Sequence, residues 1–176
     1  MRLLIGFAAG SLLAAPAAAA LPRWNPRAPE NNQVLPSFNY GTVEPVLRAI
    51  GARYQRSGAV SAPVLLVTFA NGRKATLTMG VCNPPGSICR SLNVQSTWTR
   101  IANSPQSEVS AAVERFNRQY SFAKAYFTPD RRPAMQRYLN ADYGFVRGNL
   151  AVNLLVFATQ ADRFAKDVLA PLESRR

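Results

Sequence analysis

The cysteines of this chain, together with the absence of histidine, limit the chemistry that it can perform. Cys82 and Cys89 are its two cysteines, and none of its 176 residues is a histidine. Serine triads and Cys-His pairs are therefore excluded, because both use an imidazole as the base. Two thiols are too few for a metal site, and the spacing differs from the Cys-x-x-Cys of redox proteins. In an exported chain we expect the pair to form a disulfide that closes a short loop.

The carboxylates offer no predicted acid–base pair. Glu108 and Glu114 lie six positions apart on one predicted helix, so they do not face each other. Asp130, Asp142 and Asp162 are placed by the pattern in a turn, at a strand end and on a helix surface. No glycine-rich phosphate-binding loop is present. We therefore predict no catalytic residue, no metal site, no cofactor and no enzymatic activity.

Two uncharged side chains are candidates for ligand contact. Asn117 follows Phe116 near the end of a predicted helix. It could present its amide to a ligand, but we favour a buried amide that satisfies backbone groups at a helix–strand junction. Trp98 could serve as a flat platform for a ligand, but a position in the core or on the sheet surface is the preferred interpretation.

The positive charge of the chain has two interpretations. The net charge is +12, and 18 of the 21 basic residues are arginine. Nucleic acid would be the first partner to consider in the cytosol, but export would exclude it. Lipid headgroups, lipopolysaccharide phosphates and acidic proteins would remain. The favoured alternative is an arginine-rich composition, typical of a high-GC genome, on a solvated surface.

Four of the basic residues form two pairs at predicted turns: Arg73, Lys74, Arg131 and Arg132. The two pairs could form one basic rim that binds an anionic partner. Solvated turn residues are the commoner explanation for such pairs.

The N-terminus has the composition of a secretory signal peptide. Met1-Arg2 is basic, residues 3–13 are almost all apolar, and Ala18 and Ala20 form an Ala-x-Ala cleavage site before Leu21. A transmembrane anchor is the alternative, but the apolar run is shorter than the roughly 20 residues that a span needs. We therefore expect a periplasmic or secreted protein with no transmembrane span after cleavage.

The predicted organisation has four parts, with a single folded domain. They are a signal peptide (1–20), an extended or disordered arm (21–41) rich in Pro, Asn and Arg, an α+β domain (42–170) and a C-terminal tail (171–176).

Hydrophobic periodicity predicts the order α-β-β-β-α-β-β-α. The first helix is expected to begin at an N-cap on Thr42 and to end near Gly58, with Tyr54 on its apolar stripe. Two strands follow, and Asn71-Gly72 between them favours a type I′ hairpin turn.

The later elements follow the same reasoning. They are a third strand over 91–98, a helix opened by Ser104-Pro105, strands over 120–128 and 135–143, and a helix over 148–169. The helix opened by Ser104-Pro105 is expected to bury a stripe made of Val109, Ala112, Val113 and Phe116. Antiparallel hairpins separated by single helices are typical of an α+β fold, with helices mainly on one face of one sheet.

Three segments in a fixed order form the most specific pattern of the chain. They are Cys82-x6-Cys89-x-Ser91-Leu92-x-Val94 with Trp98 beyond, Phe116-Asn117, and Phe122-Ala123-Lys124-Ala125-Tyr126. Their order and spacing, over about 42–170, resemble the YbjN-domain family of bacterial sensory transduction regulators. The resemblance implies a fold like that of type III secretion chaperones, which tend to dimerise and hold extended segments of other proteins. The family supplies no agreed catalytic residues.

The chain departs from this family in two respects. Asp130-Arg131-Arg132 replaces the expected Asp-Gly turn, and an export signal would separate this member from cytoplasmic regulators. Two functions therefore stay open. One is an envelope adaptor or chaperone, or a stress-related regulator, that binds a protein and forms a homodimer. The other is a basic protein that binds anionic phospholipid or lipopolysaccharide.

Overall fold

The computed structural model describes residues 24–86 and 88–174. The predicted signal peptide, residues 1–20, lies outside the described residues. The described part of the chain is α+β with antiparallel sheets, as the sequence predicts.

The main sheet has six antiparallel strands in the order β2-β3-β4-β5-β7-β6. Their bounds are β2 Arg53–Arg56, β3 Val64–Thr68, β4 Lys74–Cys82, β5 Cys89–Thr97, β6 Lys124–Phe127 and β7 Pro133–Asn140. A separate two-stranded ribbon joins β1 (Val34–Leu35) to β8 (Phe145–Val146). Burial alternates along the central strands, so one face of the sheet is buried and the other is open.

Helices cover the buried face of the sheet. They are α1 Tyr40–Ala49, α2 Gln106–Gln119 and α3 Arg147–Arg163. A π-helical stretch, Phe164–Leu169, and the short α4, Ala170–Glu173, continue α3. The stripe predicted for the second helix is confirmed, since Val109, Ala112, Val113 and Phe116 are its buried residues.

The prediction for the first helix is wrong at both ends. Asn39, rather than Thr42, is the N-cap, and Thr42 occupies the third position of a reciprocal capping box. The helix ends at Ala49, where Gly51 adopts a φ of 72°, and glycine in this conformation is a common helix stop. Tyr54 therefore lies in β2, an additional strand. Pairing with β3 outweighs the helical spacing that placed Tyr54 on an apolar stripe.

The hairpin between β3 and β4 is confirmed, but the predicted turn type is wrong. Gly72 has a φ of 81° while Asn71 stays outside the left-handed region. The Gly72 N–H donates to the Phe69 carbonyl over 2.9 Å, which suits a type I turn followed by a left-handed glycine. The Asn71 side chain instead donates to the Ala158 carbonyl of α3 over 2.9 Å. Docking onto α3 thus decides the conformation of Asn71.

The folded domain reaches beyond its predicted boundaries at both ends. Within the segment predicted as an arm, Leu35, Ser37 and Phe38 are buried, and β1 pairs with β8. Within the segment predicted as a tail, Leu172 is 5% exposed and belongs to the core. The described parts of both segments are therefore packed onto the domain.

Candidate functional site

The predicted disulfide is present and closes the β4–β5 connection. Cys82 and Cys89 are bonded and pair in register across the two strands. Gly86 lies inside this loop with a φ of 88°, and a Cβ there would lie 2.0 Å from the Val60 carbonyl oxygen. The disulfide loop is thus packed tightly against the β2–β3 loop.

Asn117 satisfies the backbone of an edge strand. Its Nδ2 donates to the Ala125 carbonyl and its Oδ1 accepts from the Ala125 N–H, each over 2.8 Å. Ala125 lies in β6, the last strand on that side of the sheet. The amide therefore takes the place of a further strand and covers the edge at this residue. This arrangement leaves both polar groups of the amide occupied by protein.

Trp98 lies immediately after β5 and packs into the core. Its ring contacts that of Phe164 edge-on, with 5.0 Å between the ring centroids. The side chain is half-buried against the helical layer, so it does not stand on the open face.

Arg73 and Lys74 sit at the β3–β4 turn but point to different surroundings. Arg73 forms an ion pair with Asp162 of α3, with 2.9 Å between Nε and Oδ1. Hydrogen bonds from Lys166 and then Arg73 lower the pKa of Asp162. Lys74 is exposed, so one member of this predicted pair is neutralised and the other is accessible.

Arg131 and Arg132 occupy the β6–β7 turn at the same end of the sheet. Arg132 pairs with Asp130 over 2.6 Å, while Arg131 adopts a φ of 59° and is exposed. Strand β5 alone lies between β4 and the start of β7 at this turn. Arg73 and Arg132 pair with different carboxylates, Asp162 and Asp130, so each predicted basic pair is partly neutralised on its own side of the sheet.

The open face of the sheet is a broad uncovered surface with a consistent chemistry. Its side chains project away from the helices, and the strand register places them in rows. We define the open face by these residues: Arg53, Gln55, Leu66, Thr68, Lys74, Thr76, Thr78, Asn93, Gln95, Thr97, Lys124, Tyr126, Gln136 and Tyr138. Cations, amides, hydroxyls and aromatic rings are present, but no strand of the six contains an aspartate or glutamate.

A shallow groove of ≈ 730 Å³ crosses part of this face. It runs over β2 to β5, with Arg53 and Lys74 as its cationic residues. Leu66 is 44% exposed and provides an apolar contact within the groove. The Gln95 amide donates to the Thr97 hydroxyl over 3.3 Å. The groove can therefore hold an extended, negatively charged chain through ionic, polar and apolar contacts.

Strand β2 borders the groove and has a free edge. Ser57 N–H donates to the Val64 carbonyl, and hydrogen-bonded pairs alternate along an antiparallel ladder. The backbone groups of Tyr54 and Arg56 consequently point away from β3, on the side where the sheet ends. An extended polypeptide could add there as a further strand.

Glu44 anchors this edge strand to α1. Its carboxylate is nearly buried and accepts hydrogen bonds from Arg56 Nε over 2.6 Å and Nη2 over 3.1 Å. The hydrogen bond from Arg56 is the main reason that the pKa of Glu44 is lowered. Arg48 donates to the Tyr54 hydroxyl beside it. The strand is thus held by α1 while its outer edge stays open.

Sequence reasoning did not find β2. The strand is four residues long and three of them are exposed, so it has no strong alternation of apolar residues. Gly51 was the available signal, because a glycine after an apolar helical run often marks the helix end.

Two kinds of site are absent from the part of the chain that the structure describes. No group of three or more Asp, Glu, Cys or His residues is arranged to hold a metal ion there. Among the same residues, no helix has the length and apolar character needed to cross a membrane.

The fold and the open face define a single α+β module with one covered and one uncovered sheet face. The family model YbjN, described as "Putative bacterial sensory transduction regulator", matches residues 39–170. The chain belongs to the YbjN family, as the resemblance of its motifs predicted, and this places it broadly among regulatory or adaptor-type binding proteins. No curated protein and no solved structure matches the chain.

Proposed function

We propose that this protein is a non-enzymatic adaptor of the cell envelope that binds an extended, acidic segment of another polypeptide. The observation that carries the proposal is the open face, which combines cations, amides and hydroxyls without a carboxylate. Negative side chains of a partner would meet Arg53 and Lys74 without repulsion from an acid on the sheet. Its apolar side chains would contact Leu66.

The free edge of β2 supplies a second set of contacts for the same partner. Backbone hydrogen bonds to Tyr54 and Arg56 would align an extended segment without requiring a particular sequence. The exposed Arg53 and Gln55 lie on the open-face side of this strand. The partner's acidic residues would then select the orientation in which its extended segment binds. The predicted signal peptide and the disulfide support a role in the envelope.

Site-specific photocrosslinking tests this proposal with a well-matched control. A benzoylphenylalanine residue replaces Leu66 on the open face or Val152 on α3, whose exposed fractions are 44% and 43%. In living cells, the probe at Leu66 should capture a distinct polypeptide whose crosslinked peptide is acidic. The probe at Val152 should not capture it.

Two outcomes would contradict the proposal. Equal capture of the polypeptide from both probe positions would show that it does not bind preferentially at the open face. An adduct containing only peptides of this chain would show that a second copy, rather than another protein, covers the face.

Charge reversal tests the electrostatic part of the proposal. R53E and K74E should abolish the Leu66 adduct, while the control R118E, at an exposed position in the last turn of α2, should preserve it. Export and signal cleavage are tested separately: the protein should be recovered from the periplasm or medium, and its first residue should be Leu21.

A further inference from the structure

One end of the six-stranded sheet collects exposed apolar side chains. The β2–β3 loop, the disulfide loop and the connection after β7 meet there, because Val64 pairs with Thr78, and β5 begins beside the ends of β4 and β7. Eight large hydrophobic residues are exposed among the described residues, and five lie at or beside this end, where Val34 adjoins Gly144 of the connection after β7. We call these five the apolar end: Val34 (58% exposed), Val60 (65%), Val81 (68%), Ile88 (50%) and Tyr143 (102%).

Two loops of the apolar end are uncharged and pack on each other, while the connection after β7 carries the exposed Asp142. Residues 57–63 and 83–88 contain no charged side chain, although 17% of the chain is charged. The Cys82–Cys89 disulfide closes one loop, and Gly86 packs against Val60 of the other. The disulfide and the packing of Gly86 therefore restrain these two loops, which lowers the conformational entropy lost when their exposed side chains enter an apolar environment.

Val81 is held in an unfavourable backbone conformation within this end. Its φ is 52°, which is a genuine outlier for a β-branched residue. The side chain is also 68% exposed, so burial in the core does not compensate for the strain. Asparagine or glycine would suit this conformation better. An apolar side chain that is exposed in this conformation points to a role outside folding.

We propose that the apolar end docks on the surface of a bilayer that contains anionic phospholipid. The five side chains occupy loops and strand ends and do not line the groove of the open face, which suits shallow insertion between headgroups. Tyr143 can place its hydroxyl at the headgroups and its ring below them. Arg90 is exposed and lies in β5 between Cys89 and Ser91. The chain from Leu21 lacks Arg2 and therefore has a net charge of +11, which would draw the protein to an anionic surface.

The inference is independent of the proposed polypeptide site. Arg53, Lys74 and Thr97 of the groove lie toward the opposite end of the sheet. A protein docked through the apolar end would keep the groove accessible to its partner. Loss of vesicle binding would leave the crosslink from Leu66 unchanged, so failures of the two proposals are distinguishable.

Vesicle co-sedimentation tests the docking surface directly. The chain beginning at Leu21 is used, since residues 3–13 are apolar and would complicate lipid binding, while all described residues are kept. The vesicles contain phosphatidylglycerol and phosphatidylethanolamine, with pure phosphatidylcholine for comparison. V81N and I88S should each weaken binding to the anionic vesicles by about tenfold. The control V152S, at a comparably exposed position on α3, should leave binding unchanged.

Separate measurements report on the folding of the variants and on the insertion of the apolar end into the bilayer. The melting temperature of V81N should equal or exceed that of the wild type, because asparagine tolerates a φ of 52°. I88W should show a blue-shifted emission on anionic vesicles, while V152W should not. Wild-type affinity of V81N and I88S, or an unshifted I88W, would overturn the inference. A wild-type dimer that V81N converts to a monomer would identify a second copy as the occupant and would also overturn it.

Discussion

Removal of the Asn117 amide should destabilise the domain through one edge strand. The N117A substitution deletes two hydrogen bonds of 2.8 Å to the backbone of Ala125, a residue that is 2% exposed. Each bond contributes about 1 kcal/mol, and a buried N–H or C=O left unpaired costs about 1–3 kcal/mol. Since water can reach part of the vacated edge, we expect a total loss of about 3 kcal/mol in the free energy of unfolding.

Urea denaturation followed by circular dichroism measures this loss. For a domain of this size, 1 kcal/mol shifts the melting temperature by about 2–4 °C, so a decrease of about 6–12 °C is expected for N117A. The control is N93A, because the Asn93 amide lies on the open face and bonds only weakly, to Gln95 over 3.5 Å. N93A should change the free energy of unfolding by less than about 0.5 kcal/mol.

The N117D substitution separates the two hydrogen bonds. A carboxylate can still accept from the Ala125 N–H, but it places a second acceptor against the Ala125 carbonyl. A protonated carboxyl can donate to that carbonyl, so N117D should regain stability as the pH falls. The reasoning would be refuted if N117A were no less stable than N93A, or if N117D lost stability on acidification more steeply than the wild type does.

Three further predictions concern stability. E44Q should lose about 1 kcal/mol at neutral pH, measured by urea denaturation, because Arg56 loses a charged partner and is itself largely exposed. Folding lowers the pKa of Glu44, so the stability that its carboxylate contributes is present above the ordinary carboxyl pKa and disappears as the pH falls through the lowered value. A difference in the free energy of unfolding between wild type and E44Q that persisted in acid would contradict this assignment. Reduction of the disulfide, or the C82S/C89A double substitution, should lower stability by about 2–3 kcal/mol and leave the circular dichroism spectrum folded; complete unfolding would show that the core cannot hold the domain alone. G86A should lower the melting temperature measured by differential scanning calorimetry, because its Cβ would lie 2.0 Å from the Val60 carbonyl oxygen, whereas G72A, with no atom within 4 Å of its Cβ, should lose only the cost of a φ of 81°.

The elements with strong local patterns could be predicted from the sequence. The β3–β4 hairpin, β5 and the stripe of α2 follow from alternation and helical spacing, and the disulfide follows from a lone pair of cysteines near two strand ends. The motif segments around Cys82, Phe116 and Phe122 also indicated the family, which the match over residues 39–170 shows. These features depend on residues close together in the chain.

Other features were decided by contacts between distant residues. The strand β2 forms because it pairs with β3 and is tied to Glu44 of α1, and its own four residues carry little alternation. Asn71 leaves the predicted turn conformation because its amide binds Ala158 of α3, 87 positions away. Local sequence patterns carry no information about contacts with residues so distant in the chain.

The candidate surfaces are also tertiary in origin. The open face needs the register of five strand pairings to bring Arg53, Leu66 and Gln95 onto one surface. The apolar end needs two loops, distant in sequence, to pack through Gly86 and Val60. The sequence by itself determined the composition of these surfaces, including the acid-free strands. Only the fold decided which residues share a surface, because strand order and loop packing depend on the burial of one common core.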